Sequence, residues 1–265
     1  MIDDSVKDAS GLGGFDSYVA IGDSFTEGLN DPDPSGDDRY RGWADRVAER
    51  LAAHRPGLRY ANLAVRGKLL HQMVEDQVPR AVEMRPDLVT FGGGGNDMLR
   101  PGADPDALAV RFDEAVRRLR GAGARVLIFT GFDPRGLTRA VPRGKAATFN
   151  MHLRAIADRR DCLLVDLWPV SVLNDPRAWH EDRLHLSSEG HRRMALRVCE
   201  VLGVPVEERW NDPWPPRGAV LDWRAQRRED LYWARTYFLP WVQRRIQGRS
   251  SGDGRDPKRP DLSSL

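Results

Sequence analysis

Five short apolar runs, separated by segments of helical period, constrain this chain more than any other feature. They are Tyr18-Val19-Ala20-Ile21, Tyr60-Ala61-Asn62-Leu63-Ala64, Leu88-Val89-Thr90-Phe91, Arg125 to Thr130, and Leu163-Leu164-Val165-Asp166. Each has the length of a strand, and most are flanked by Gly, Pro, Asn or Asp. Between them apolar residues recur at helical spacing: Trp43, Val47 and Leu51; Leu70, Val74, Val78 and Val82; Phe112, Val116 and Leu119; Phe149, Leu153 and Ile156. A last set, Met194, Val198 and Leu202, follows Ser187-Ser188-Glu189-Gly190, a good helix entry. Strand alternating with helix predicts βαβ units, hence an α/β fold with a mostly parallel sheet covered on both faces. In such sheets chemistry collects at the carboxyl ends of the strands.

Charge excludes some functions. Of 265 residues, 41 are Lys or Arg and 39 are Asp or Glu, a net of +2. Bulk electrostatics therefore argue against a strongly basic nucleic-acid binder, and no nucleic-acid partner is expected. With 40% hydrophobic residues the chain has material for a sizeable core, which excludes wholesale disorder. No run approaches the about 18 apolar residues of a membrane span. Met1 to Ser10 is polar, with Asp3, Asp4 and Asp8, and has neither the basic nor the apolar part of a secretory signal. Cys162 and Cys199 read as small buried hydrophobes with no zinc or redox spacing. Together these predict a cytoplasmic protein.

The composition shifts near Pro205. From there on the chain carries 12 basic against 9 acidic residues and five of its eight tryptophans. The expected organisation is an N-terminal tail (1–14), an α/β domain (15–204), a Trp/Arg-rich helical arm (205–247) and a disordered tail (248–265). That last stretch has almost nothing to bury.

Four strand ends carry polar residues suited to chemistry. After the first strand, Gly22-Asp23-Ser24-Phe25 puts a serine on a strand-to-helix turn, where its hydroxyl is exposed and its amide faces forward. The same position is also a common N-cap. After the second strand comes Val65-Arg66-Gly67, where Gly67 is either a close-approach glycine or an ordinary turn. After the third comes Gly92-Gly93-Gly94-Gly95-Asn96-Asp97, whose Asn96 can offer amide hydrogens to an anion or serve the turn. Neither a Walker loop nor Gly-x-Gly-x-x-Gly fits these glycines. After the fifth comes Asp182-Arg183-Leu184-His185. A carboxylate three residues before an imidazole can fix one ring nitrogen while the other faces a nucleophile; the plainer reading is two surface residues. His180-Glu181 fails as a zinc helix, because Leu184 stands where the second histidine belongs.

In order and spacing these blocks resemble the SGNH/GDSL hydrolase family, named for Ser, Gly, Asn and His in four blocks. The resemblance covers about residues 15 to 203; Phe25 departs from the usual Leu after the nucleophile. It implies a flavodoxin-like three-layer α/β/α fold with a five-stranded parallel sheet. It also implies a serine esterase that removes a small or medium acyl group through an acyl-enzyme. Ser24, Asp182 and His185 would be catalytic, and Ser24, Gly67 and Asn96 would form the oxyanion hole. No metal or organic cofactor is implied, and the expected partner is a small acyl ester.

The rival reading is a binding protein on the same fold whose Arg/Trp-rich arm grips nucleic acid or protein. Arg66, Arg100, Arg135 and Arg139, in or near strand-end loops, read as solvated charge or as contacts for an acidic leaving group. Residues 221–247 read as a helix with a wide apolar arc, kinked or broken at Pro240 and covered by the core or by a second subunit. The sharper expectation is that this arm walls the acyl pocket.

Overall fold

The computed structural model describes residues 14–36, 40–134, 143–216 and 222–265. β1 (Ser17–Ile21) is buried along its whole length. Tyr18 and Ala20 enter one apolar cluster with Trp43, Val47 and Leu51, while Val19 and Ile21 enter another with Phe91, Phe112 and Leu153. Successive side chains of a strand point to opposite faces, so a sheet covered on both faces needs unbroken apolar runs.

In chain order the elements after β1 are α1 (Ser24–Glu27), α2 (Gly42–His54), β2 (Arg59–Asn62), α3 (Leu70–Gln72), a π turn (Met73–Gln77) and α4 (Val78–Met84). There follow β3 (Leu88–Phe91), α5 (Gly95–Met98), α6 (Pro105–Gly121), β4 (Arg125–Phe129), α7 (Arg143–Arg159), β5 (Leu163–Val165) and α8 (Ser188–Leu202). The C-terminal part holds α9 (Trp223–Trp233), a second π turn (Ala234–Phe238), α10 (Leu239–Ile246) and β6 (Arg259–Ser264). Residues of α2 and α8 pack in one cluster, and those of α3, α4, α6 and α7 in the other.

The sheet order is β5-β4-β3-β1-β2-β6. β1 to β5 pair in parallel, and β6 runs antiparallel against β2, with Tyr60 opposite Ser263. From β1 the chain builds to one side through β2 and to the other through β3, β4 and β5. The loops after β1 and β3 therefore flank the point where the winding reverses, the usual place for a site.

Two expectations are corrected here. The sheet has six strands, not five. The tail 248–265 is not disordered: it turns at 250–255 and supplies β6. The reason is hydrogen bonding between distant segments rather than apolar burial. Lys258 Nζ donates to Tyr40 O (2.7 Å), Arg41 O (2.9 Å) and Asp45 Oδ2 (2.8 Å), and the strand ladder satisfies the backbone. A count of apolar residues misses both.

The arm is a helix from 223 to 246 interrupted by a π turn, with Leu221 outside the described residues. The π turn ends just before Leu239-Pro240, so the missing proline N–H falls in the first turn of α10, where it is least needed. One face docks on the core: Trp233 Nε1 donates to Asp182 O (2.9 Å) and Arg183 pairs with Asp230 (2.7 Å). The other leaves Leu231, Tyr232, Leu239 and Ile246 exposed. Trp210 and Trp214 pack against the core, Trp214 under the Arg193 guanidinium. Arg135, Arg139 and residues 1–13 lie outside the described residues. Among the described residues no helix is long and apolar enough to cross a membrane.

Candidate active site

β1 ends at Ile21, and Asp23 caps α1 by accepting from the Phe25 amide (3.1 Å). Ser24 is thus the first residue of α1, and among the described residues its amide has no acceptor. The turn is held from behind by Gln77, which accepts from Gly22 N (2.8 Å) and donates through Nε2 to Gly22 O (2.9 Å). Gln77 is 3% exposed and closes the π turn before α4. The extra residue of a π turn rotates the helix face, and such turns often mark functional sites.

Ser24 Oγ lies 2.9 Å from His185 Nε2, and His185 Nδ1 lies 2.7 Å from Asp182 Oδ2. An ionised carboxylate only accepts, so Nδ1 carries the proton and Nε2 is free to accept from the serine hydroxyl. Asp182 is surrounded by donors. Oδ1 accepts from the amides of Leu184 and His185 (3.0 Å each), and Oδ2 also accepts from Asn30 Nδ2 (2.7 Å). Burial alone would raise this carboxyl, but the His185 hydrogen bond and charge and the two amides outweigh burial and hold it well below the usual range. Arg183, at φ +56°, adopts the left-handed conformation that lets Asp182 turn back on His185.

Gly67 also adopts a left-handed conformation (φ +74°), and among the described residues its amide has no acceptor. The preceding Arg66 amide donates to Glu27 Oε2 (2.7 Å), and its guanidinium pairs with the same carboxylate and lies over the Tyr40 ring. Arg66 is thus committed to α1 rather than solvated. Asn62, fully buried, donates to Thr26 O (3.1 Å) and accepts from Ala64 N (3.1 Å), which fixes the start of this loop. Asn96 Nδ2 donates to Asp23 Oδ2 (3.2 Å) and to Lys68 O (3.1 Å). It stands at the site, but both amide hydrogens are engaged, tying the nucleophile turn to the Gly67 loop. Burial pushes the Asp23 carboxyl up to about 6.

Beside Ser24 and His185 opens a cavity of about 200 Å³, lined chiefly by Phe25, Met98, Phe129, Phe132, Phe149 and Leu153. No described residue beyond His191 lines it. No described residue of the arm therefore walls this pocket; the arm rests on the Asp182 loop instead, where its docked face carries the Trp233 donor and the Asp230 carboxylate. His191, at the pocket floor, accepts from Trp43 N and meets Leu29 O; burial pulls its ring down to about 4 and keeps it neutral.

The structure thus brings together Ser24, Gly67, Asn96, Asp182 and His185 from four loops. Glu27, Asn30, Asn62 and Gln77 escaped the sequence reading. Asn62 and Gln77 had a signal, a polar residue inside or beside an apolar row. Glu27 and Asn30 had none, since their partners are distant in sequence.

Residues 20–193 match the GDSL-like lipase/acylhydrolase family. Among curated proteins no match is found. Solved structures are similar in fold. One is LAE5, an alpha/beta hydrolase enzyme from the metagenome of Lake Arreo, with 22% identity, 73% of this chain and 97% of that chain covered, and TM-score 0.61. Another is Axe2, an acetylxylan esterase from Geobacillus stearothermophilus, with 21% identity, coverage of 73% and 95%, and TM-score 0.59. A third is the psychrotrophic esterase EstA from Pseudoalteromonas, with 15% identity, coverage of 71% and 97%, and TM-score 0.58.

Proposed function

The chain belongs to the GDSL-like lipase/acylhydrolase family and is an esterase of that SGNH type, and from that premise we propose that it removes a medium-length acyl group through an acyl-enzyme on Ser24. The observation that carries this reading is the hydrogen-bonded line Ser24–His185–Asp182, set beside an apolar cavity and the Ser24 and Gly67 amides, which have no acceptor among the described residues. Ser24 Oγ attacks the ester carbonyl while its proton passes to His185 Nε2. Asp182 holds the imidazole tautomer and balances the imidazolium. The carbonyl oxygen gains negative charge and is received by the Ser24 and Gly67 amides, joined by Asn96 once its amide turns from Lys68 or Asp23. Collapse breaks the bond to the alcohol oxygen, which leaves with the proton from His185. Water then attacks the acyl-serine and gives a proton to His185; collapse breaks the acyl–Ser24 Oγ bond, His185 returns that proton to Ser24 Oγ, and the acid is released. The chemistry uses side chains and backbone alone.

Size and polarity support the acyl preference. A dry apolar cavity of roughly 150 Å³ holds benzene, so about 200 Å³ of phenylalanine-lined space exceeds what an acetyl group fills. A panel of p-nitrophenyl esters of rising chain length, beside acetylated sugars and acyl thioesters, tests this. The expected optimum lies above acetyl, and Ala146→Phe, which fills the cavity from α7, should move it toward shorter chains. A preference for acetylated sugars unmoved by Ala146→Phe would refute the medium-acyl reading.

Asn96 gives a separate test. Asn96→Ala should lower kcat by roughly 10²–10³ with little change in KM, since an oxyanion donor acts mainly in the transition state. Asn96→Asp should be at least as harmful, because it sets a second carboxylate against Asp23. Wild-type kcat in both variants would reduce Asn96 to a turn residue. The cytoplasmic setting belongs to the same proposal: Cys162 and Cys199 stand unpaired, as thiols do in a reducing compartment.

A further inference from the structure

The C-terminal segment passes three of the loops that build the site. Trp233 holds the Asp182 carbonyl, Arg245 lies by charge near Asp97 and Arg100, and residues 250–252 press on Arg66 and Gly67. The last contact is the closest. A Cβ on Gly252 would stand 1.9 Å from the Arg66 carbonyl oxygen, and a Cβ on Gly67 would stand 2.0 Å from Ser250 Oγ. The Gly252 backbone therefore packs on the Arg66 carbonyl where no side chain fits, and the Ser250 hydroxyl fills the space beside Gly67.

The 250–255 turn is held by hydrogen bonds of its own. Ser250 N donates to Asp253 Oδ2 (2.7 Å), Gly252 N to Ser250 Oγ (3.2 Å), and Arg255 N to Gly252 O (3.2 Å). Its far end is anchored by Lys258, whose side chain is 9% exposed and whose ammonium meets one carboxylate and two carbonyls. A buried ammonium so surrounded is hard to withdraw, because leaving would strand the Asp45 charge. On its other side the Arg66–Gly67 loop is tied to α1 through Glu27. The loop is clasped between the nucleophile helix and the tail.

We propose that Ser250 and Gly252 are positioning residues that hold the Gly67 amide in place for the oxyanion, with Lys258 as their anchor. This rests on the esterase reading above. A hydrogen-bond donor to a developing charge works only at its set distance, and a displacement of about 1 Å costs on the order of 10²-fold in rate. β6 could pair with β2 for stability alone, but stability does not require a turn seated on Gly67.

The test uses the intact chain, a protein ending at Gly248, and full-length Gly252→Ala. Each is assayed on p-nitrophenyl butyrate for kcat and KM, and by hydrogen exchange over residues 64–68. Shortening the chain should lower kcat on the order of 10²-fold, leave KM within about threefold, and speed exchange in that loop. A synthetic peptide of residues 249–265 should restore kcat. Where the shortened protein fails to fold, Gly252→Ala decides: the same loss in kcat at unchanged KM supports the proposal. Folded variants that keep kcat, or a loop whose exchange does not change, would overturn it. An intact chain without Ser24-dependent hydrolysis would instead sink the esterase reading, and the exchange data alone would still report whether the tail holds the loop.

Discussion

Ser24→Ala and His185→Ala should each lower kcat toward p-nitrophenyl butyrate by on the order of 10⁴-fold or more, because nucleophile and base act as one unit. The double variant should be scarcely worse than either single one. The distance that demands this is the 2.9 Å contact between Ser24 Oγ and His185 Nε2. Neither substitution should unfold the chain. Among the described residues Ser24 Oγ bonds only to His185, and neither residue belongs to the apolar clusters. A fluorophosphonate should label the wild-type protein at Ser24 and leave Ser24→Ala unlabelled. Equal labelling of the two proteins would remove Ser24 from the chemistry, and an additive loss in the double variant would separate the two residues' roles.

Asp182→Asn should be nearly as severe, on the order of 10⁴-fold in kcat, and the donors around the carboxylate say why. Oδ1 faces two backbone amides that cannot turn away, so an asparagine would have to place its oxygen there. Its NH₂ would then stand at the Oδ2 position, 2.7 Å from His185 Nδ1. That nitrogen would have to become the acceptor, leaving the proton on Nε2, which could no longer take the serine proton. Asn30, which donates to the same oxygen, would meet a second donor. Asp182→Asn is therefore expected to spoil the tautomer rather than the geometry. A kcat within tenfold of wild type would contradict the tautomer argument. The same carboxylate has a stability signature. Its pKa is depressed in the folded state, so its contribution is present above the ordinary carboxylate value of 3.8 and is lost as pH falls below it. Acid unfolding followed by circular dichroism should show a shallower fall below pH 4 for Asp182→Asn than for wild type.

Much of the site was legible in the sequence because its parts are local. Gly22-Asp23-Ser24 is one turn, and Asp182 and His185 are three residues apart on another. The βαβ alternation then places both at the same edge of the sheet, since parallel strands all end there. The supports were hidden for the opposite reason. Gln77 reaches Gly22 across 55 residues, and Asn30 reaches Asp182 across 152. Neither pairing has a sequence period to announce it, and the π turn that aims Gln77 breaks the helical period itself.

The C-terminal segment marks the boundary most clearly. The amphipathic pattern of the arm predicts its helix but not its cover: Leu231, Phe238 and Ile246 of the apolar arc stand exposed, and no residue of α9 or α10 is fully buried. Where the arm docks is not written in that period, because it depends on Trp233 finding a carbonyl 51 residues away and on Asp230 meeting Arg183. The tail beyond Gly248 looked like solvent-borne chain, because composition measures only what can be buried as hydrocarbon. Its order comes from hydrogen bonds: a ladder to the edge of β2, a lysine threaded among Tyr40, Arg41 and Asp45, and a glycine that fits against Arg66 for want of a side chain. Period and local spacing were enough to specify the α/β architecture and the residues at the strand ends. What closes around them emerged only with the fold, because backbone contact and directional bonds between distant segments leave no pattern in one dimension.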